Sequence, residues 1–338
     1  ILQSTIDKIN RIFDRTEQAG RTSEVFLVSR ERLMLTDSRF RAGTSILEQH
    51  LSDANIDAKF AERRGHKIVT DYRGERALTS FQVVPVLNTE WLLIAKIDED
   101  EVVTRAWRDR DLGPALLAAV AASKPAPADA PAEPESQTRV DMDEFRRTEP
   151  GQQLMTYGVS TCTAVVVGRP GHFAYLGHAS PYDRIYGDGD VDLIGHMLKR
   201  VQRFEVYPSE LRELAAVIVA PHLDSAHGAI DRLLTAGLYL GQVAIVHDPH
   251  ARRADVWHDP ATGQTHVRWT AADRTTRWVR ASDTPSLGEL AKTILGYPEA
   301  VRQADTARAD PCPRGPAGAT DAARPGSAPR PEAAVPRH

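Results

Sequence analysis

Several residue types that mark particular protein classes are scarce in this sequence. Only two of the 338 residues are cysteine, Cys162 and Cys312, which is too few for a disulfide framework. Lys and Arg total 42 against 46 Asp and Glu, and this net charge of −4 argues against a chain built to coat nucleic acid or an anionic membrane. The longest apolar run, residues 112–122, is shorter than the roughly 18–20 residues that a membrane-spanning helix needs. We therefore expect globular domains with no membrane span and no nucleic-acid partner.

Composition divides the chain into four segments. Residues 1–103 and 141–297 carry apolar patterns typical of helices and strands. Residues 104–140 begin with a helical pattern and continue into KPAPADAPAEPESQ, which is too poor in large apolar side chains to fold alone. Residues 298–338 are rich in Pro, Ala, Arg and Gly. The prediction is an α+β protein with two globular domains, a helix and disordered linker between them, and a disordered tail.

The first segment predicts a small antiparallel sheet. Runs rich in β-branched and aromatic residues, bounded by turn residues, indicate strands, and a polar stretch over about 45–61 indicates a helix. The strand candidates are residues 24–29, 33–36, 67–72, 77–86 and 91–97.

Within this segment, residues 23–40 read SEVFLVSRERLMLTDSRF and residues 70–102 read TDYRGERALTSFQVVPVLNTEWLLIAKIDEDEV. These stretches resemble the membrane-proximal half of a double Cache domain, the extracytoplasmic ligand sensor of bacterial chemoreceptors, histidine kinases and cyclases. The resemblance covers residues 1–103. It implies a small Cache/PAS-like antiparallel sheet with a sensory role and a small-molecule ligand as partner.

The second globular segment contains a predicted β-hairpin with reactive side chains at its open end. Cys162 starts an apolar run that reaches a Gly/Pro turn, and a second run ends at His178. With a three-residue loop at 169–171 and Gly171 in the left-handed conformation, Cys162 pairs directly with His178, and their Cβ atoms are about 5 Å apart. A loop of two or four residues would instead put them on opposite faces.

A thiol beside an imidazole is a common way to make a nucleophile, because the imidazole takes the thiol proton and later donates it to a leaving group. Thr156 lies six residues before Cys162, so an extended chain places it on the same face, where its hydroxyl can orient the ring. We expect the histidine and an exposed strand end to lower the pKa of the Cys162 thiol below about 8.5. The alternative is a structural site, since a buried Cys is often only a small hydrophobe.

Residues 156–165, TYGVSTCTAV, followed by His178 in LGHASP, are similar to the chemoreceptor glutamine deamidase (CheD) family. The resemblance spans about residues 150–270. Thr156, Cys162 and His178 match the family's threonine, nucleophilic cysteine and histidine one by one. The resemblance implies a CheD-like α/β sandwich, an orienting role for Thr156, an acid–base role for His178, and a chemoreceptor or other signalling protein as substrate.

Two functions of different classes remain open on the sequence. The first is a cysteine hydrolase, a protein-glutamine deamidase fused to a Cache-like sensory module. The second is a non-catalytic sensory or adaptor protein that binds a small ligand or partner through the Cache-like segment. Neither implies a cofactor, and no metal is expected, because His222/His227 and His247/His250 lack the helical spacing of a zinc-protease pair. The resemblances imply different locations, cytoplasmic for the deamidase-like domain and extracytoplasmic for the Cache-like one.

Overall fold

A computed structural model describes residues 20–41, 43–51, 54–108, 111–131, 136–181 and 192–296, which form a mixed α+β fold. The strands are β1 (Glu24–Val28), β2 (Arg64–Thr70), β3 (Arg76–Val86), β4 (Thr89–Asp98), β5 (Pro127–Ala128), β6 (Gln137–Arg139), β7 (Glu144–Thr148), β8 (Gln153–Val159), β9 (Thr163–Arg169), β10 (Phe173–Ala179), β11 (Ala215–Val219), β12 (Val243–Val246), β13 (Ala251–Asp259), β14 (Gln264–Ala271) and β15 (Thr276–Arg280). The helices are α1 (Ala54–Glu62), α2 (Glu99–Ala106), α3 (Leu112–Ala122), α4 (Leu193–Phe204), α5 (Leu223–Thr235) and α6 (Leu287–Ile294). Within the described ranges, no helix is long and apolar enough to cross a membrane. The tail predicted to be disordered, 298–338, lies outside the described residues.

The first sheet has four antiparallel strands in the order β1-β4-β3-β2. Its core includes Phe26, Val28, Phe81 and Ile94. These residues share one side of the sheet because successive side chains on a strand point to opposite faces. The small antiparallel sheet predicted for this segment is thus confirmed, and four of its five predicted strands lie within three residues of their expected ends.

Two elements of this first part differ from the prediction. The strand expected at 33–36 forms only isolated bridges, which join Leu33 to His50 and Met34 to Val28. The helix expected over 45–61 begins only at Ala54. The polar residues before it form turns, which satisfy their backbone groups locally.

The second part of the chain is a sandwich of two sheets. One sheet has five strands in the order β12-β11-β9-β10-β7, and the other has six in the order β5-β15-β14-β13-β8-β6. Side chains from their facing sides share one buried cluster, with Val166 and Leu176 from the five-stranded sheet and Val256, Val267 and Trp269 from the six-stranded sheet. This arrangement fits the predicted α+β class.

Helices cover the outer face of the five-stranded sheet. Val165 and Val167 of β9 point away from the six-stranded sheet and belong to a cluster with Met197 of α4 and Ile230 of α5. Strand β9 is therefore covered on both faces, which explains why its sequence is apolar without alternation.

The segment predicted as a helix and disordered linker, 104–140, is largely part of the sandwich. Trp107, Leu116 and Val120 are buried in the cluster that α4 and α5 also form. Strand β5 pairs with β15, and β6 pairs with β8. An edge strand needs hydrogen bonds on one side only, so residues such as Pro127 can join a sheet without a large side chain. Composition alone missed this pairing, because it reports side chains and not main-chain partners.

Charged residues hold the first sheet against the rest of the molecule. Asp98, at the end of β4, accepts hydrogen bonds from Arg73 of the first sheet and from Arg212 of the second part. Lys292 of α6 forms an ion pair with Glu99 of α2 at 3.0 Å. The described residues up to 296 belong to one compact unit that contains all three sheets.

Candidate active site

The hairpin that carries Cys162 and His178 has a register two residues away from the predicted one. Phe173 pairs with Arg169, and His178 pairs with Ala164 instead of Cys162. Cys162 is therefore the diagonal neighbour of His178, and diagonal neighbours are typically about 7–8 Å apart, with somewhat less between their Cβ atoms, in place of the predicted 5 Å. Because a shift of two preserves the alternation of a strand, both side chains still lie on the same face.

The turn explains the shift. Gly171 has a φ of +80°, which confirms the left-handed conformation predicted for it. The N–H of His172 donates to the carbonyl of Arg169 at 3.0 Å, so Pro170 and Gly171 are the two central residues of the turn. Proline at the first and glycine with positive φ at the second central position is the pattern of a type II turn. The turn therefore starts one residue later than the predicted loop.

Thr156, Cys162 and His178 meet between the two sheets. Thr156 comes from β8 of the six-stranded sheet, His178 from β10 of the five-stranded sheet, and Cys162 directly precedes β9. Their exposed fractions are 0%, 5% and 3%. Thr156 thus lies close to the pair, but not through the extended segment that was predicted, because a register shift and Gly158 at a φ of +75° interrupt the chain before Cys162. The exposed strand end expected for the cysteine is buried.

A chain of hydrogen bonds sets the tautomer of His178. The Thr156 hydroxyl lies 2.7 Å from the Val140 carbonyl oxygen and 2.8 Å from Nδ1 of His178. A carbonyl oxygen only accepts, so the hydroxyl donates its one hydrogen to Val140 and must accept from Nδ1–H of His178. The neutral imidazole therefore carries its proton on Nδ1 and a lone pair on Nε2.

The Nε2 atom of His178 is buried and has no hydrogen-bond partner among the described residues. An unpaired buried acceptor costs about 1–3 kcal/mol, so native structures keep few of them. Its lone pair is available to a proton donor, and Cys162 is the thiol that lies on the same face. The two are not hydrogen-bonded in this structure, and catalytic hydrogen bonds often shorten only when substrate binds.

Cys162 has a different neighbour at present. Its Sγ lies 3.7 Å from Sδ of Met142. Burial raises the pKa of the thiol, and the charge of Asp143 adds to this, whereas hydrogen bonds from the Ser160 backbone and the Thr161 side chain act in the opposite direction. The prediction of a lowered thiol pKa is therefore wrong for this closed geometry, because desolvation disfavours the thiolate.

The imidazole is also biased toward its neutral form. Burial lowers the pKa of His178, while the charges of Asp143 and Asp141 oppose that shift. A neutral thiol and a neutral imidazole are thus the resting state at pH 7, because neither charged form is well solvated between the sheets. The proton must move within the pair before the sulfur can act as a nucleophile.

A buried ion pair shapes the chain between Thr156 and Cys162. Gly158 has a φ of +75°, and its N–H donates to Asp255 of β13 at 2.9 Å. Asp255 is fully buried and pairs with Arg268 of β14 at 2.7 Å. The pairing of β13 with β8 shifts register at Asp255, which indicates a bulge of the kind found beside active sites. Sequence reasoning missed Asp255, although an acid inside the apolar run ADVW was a visible signal.

A cleft of about 610 Å³ lies on the helix side of the same strand ends. Its lining includes Thr161, Thr163 and Ser180, together with His222 and His227 of the α5 region. Cys162 and His178 do not line it, because their side chains point to the opposite face of the five-stranded sheet. In the described part of the chain, no group of three or more metal-ligating side chains is close enough to hold an ion.

Comparison with known proteins does not identify a function for this site. No protein-family model matches the chain, and no curated protein matches it. Among solved structures it is similar to the crystal structure of the Bacillus licheniformis hypothetical protein YfiH, with 13% sequence identity and a TM-score of 0.25. That alignment covers 54% of this chain and 85% of the other. A similarity this low carries no argument about fold or activity.

Proposed function

We propose that this chain is a cysteine hydrolase that converts protein glutamine side chains to glutamate, with Cys162 as nucleophile and His178 as acid and base. The observation that carries the proposal is the fixed tautomer of His178: Thr156 holds Nδ1–H and leaves a buried, unpartnered lone pair on Nε2. A structural histidine would be expected to have both ring nitrogens satisfied.

The geometry supports a two-step reaction. His178 Nε2 takes the Cys162 proton, and the thiolate attacks the amide carbon to form a tetrahedral intermediate. Nε2–H then protonates the departing nitrogen, which leaves as ammonia, and a thioester remains. Water gives a proton to Nε2 and attacks the thioester, and the proton returns to sulfur as glutamate is released. Thr156 keeps the ring in register throughout, and backbone N–H groups near 161–163 would stabilise the oxyanion.

The glutamine side chain of a chemoreceptor or another signalling protein is the substrate we favour. The support is the similarity of residues 156–165, and of His178 in its own segment, to the chemoreceptor glutamine deamidases. By the same argument, we propose that the four-stranded sheet is a Cache-like sensory module. The Asp98–Arg212 pair joins the end of β4 to the second part of the chain, and Glu99 of the adjoining α2 pairs with Lys292; these contacts offer a route by which a ligand of that module would affect the site.

The test uses the full chain, because Leu116 and Val120 of the predicted linker belong to the core of the sandwich. The chain is incubated with helical chemoreceptor fragments, and released ammonia and the conversion of glutamine to glutamate are measured by mass spectrometry. Cys162→Ala should abolish both, while the matched variant Cys312→Ser should retain them. Equal and negligible activity of the wild type and Cys162→Ala on every fragment would refute the proposal.

A further inference from the structure

Residues 140–143 run from the six-stranded sheet to the five-stranded sheet beside the reactive pair, and we call them the strap. At one end, Val140 accepts the Thr156 hydroxyl at 2.7 Å. At the other end, the N–H of Asp143 donates to the carbonyl of His178 at 2.7 Å, and its Oδ1 accepts from the N–H of Ser180 at 2.9 Å. The strap is thus fixed to the same two residues that make up the acid–base unit.

Between these anchors, Met142 lies over the thiol. Its Sδ is 3.7 Å from Cys162 Sγ, yet the methionine is 57% exposed while the cysteine is 5% exposed. The side chain therefore has solvent on one side and the nucleophile on the other. Asp143 follows with a φ of +60°, a left-handed conformation that is uncommon for a residue other than glycine and is held here by its hydrogen bonds.

A substrate carbonyl cannot reach the sulfur while Met142 is in place. Reacting atoms must approach to about 3–3.5 Å, which is the space that the thioether now occupies. The two anchored ends leave the side chain as the part that moves. Methionine suits this because it is unbranched, has three rotatable side-chain bonds, and loses little packing when it is already half exposed.

We propose that Met142 is a substrate-displaced cover of Cys162 and a specificity-determining residue of the site, an inference that rests in part on the proposed function. A protein surface that presents an apolar side chain next to its glutamine can pack against the displaced methionine and offset the loss of its contact with the thiol. Free glutamine or a short polar peptide has no such group. The substrate class is therefore a glutamine on a folded protein surface with an apolar neighbour.

The first experiment measures alkylation of Cys162 by iodoacetamide in the full chain, in a Cys312→Ser background that leaves a single thiol. Met142→Ala should raise the labelling rate by at least about tenfold, because the closed state no longer shields the sulfur. Met142→Leu, which keeps the bulk, should stay close to the unsubstituted rate. Leu87→Ala is the matched control, since Leu87 is 99% exposed on the turn between β3 and β4.

The second experiment compares deamidation of a folded receptor fragment with that of a short glutamine peptide. Met142→Ala should lower the ratio of the folded-fragment rate to the peptide rate at least about fivefold. Without the methionine, the folded substrate no longer has the advantage of packing against a displaced cover. If Met142→Ala changes neither the labelling rate nor this ratio, the cover is refuted even where Cys162-dependent deamidation is found. If labelling rises while no variant deamidates anything, the cover stands, and both the specificity role and the proposed function are refuted.

Discussion

At the scale of single residues, the site depends on how one hydroxyl proton is used. Thr156 donates a hydrogen bond to the Val140 carbonyl and accepts one from Nδ1–H of His178. Both proton positions follow because a carbonyl oxygen can only accept. The sequence singled out Thr156 but gave no sign of Val140, which lies in a segment predicted to be a linker. The role of Thr156 in orienting the ring remains a prediction until it is tested by substitution.

Thr156→Val would leave both the Nδ1–H of His178 and the Val140 carbonyl without a partner. We expect the deamidation kcat to fall about 100-fold with little change in KM, because the ring loses its fixed tautomer while the surface that binds substrate is unchanged. The free energy of unfolding should fall by about 1–3 kcal/mol. Steady-state kinetics and urea denaturation measure the two effects.

Thr156→Ser is the conservative control for that substitution. It keeps the hydroxyl and should therefore retain kcat within a factor of about five, although it loses a buried methyl group. If the valine and serine variants have the same kcat, Thr156 does not orient His178.

At the scale of elements, hairpin register and cross-strand pairs decide what the side chains touch. With the Pro170-Gly171 turn, Cys162 and His178 lie on the same face, as predicted. They are diagonal neighbours, however, and not the direct neighbours of the predicted register. On the six-stranded sheet, His258 of β13 lies opposite Thr265 of β14, and its Nδ1 is 2.9 Å from the threonine hydroxyl. Burial there lowers the pKa of His258 to about 4, well below its ordinary 6.5.

This buried histidine makes stability depend on pH in one direction. As the pH falls below about 6.5, the unfolded chain binds a proton at His258, whereas the folded protein does so only near pH 4. The contribution of His258 to the free energy of unfolding is therefore fully present above pH 6.5. It is lost as the pH falls toward 4, which lowers the free energy of unfolding by up to about 3 kcal/mol. The lowered pKa of His178 acts in the same direction.

Urea denaturation between pH 4 and pH 8 measures this dependence. His258→Gln should be less stable at pH 8 but should lose less stability on acidification than the wild type. His196→Gln, on the exposed side of α4, is the matched control and should follow the wild-type curve. An unchanged slope in His258→Gln would show that this histidine does not carry the dependence.

At the scale of the whole molecule, helices α2 and α3, which precede residue 141, share one core with the sandwich. Leu116 of α3 is fully buried in the cluster that contains residues of α4 and α5. The next residue, Leu117, is only partly buried against the same cluster. A boundary drawn at 141 from composition would therefore expose apolar surface of the sandwich.

Leu116→Ala should destabilise the full chain by about 2–5 kcal/mol, because it leaves a cavity in a packed core. Leu117→Ala, on the same helix, should cost clearly less, since part of its side chain already faces solvent. Thermal and urea unfolding monitored by tryptophan fluorescence would compare the two variants. Equal losses would indicate that α3 does not pack as the structure has it.

The sequence by itself determined much of the local structure. Apolar and turn patterns located β1, β3, β4 and both strands of the Cys162 hairpin, because strand propensity and glycine conformation act over a few neighbouring residues. The alternation of side chains along the hairpin was enough to place Cys162 and His178 on one face.

Only the tertiary structure decided the environment of those residues. The second sheet buries Cys162 and reverses the expected direction of its pKa shift, and Met142 reaches the thiol across 20 positions of sequence. The strands β5 and β6 likewise exist only because β15 and β8 offer them backbone partners. Desolvation and main-chain pairing both depend on segments distant in sequence, whereas composition and periodicity report only on residues near one another along the chain.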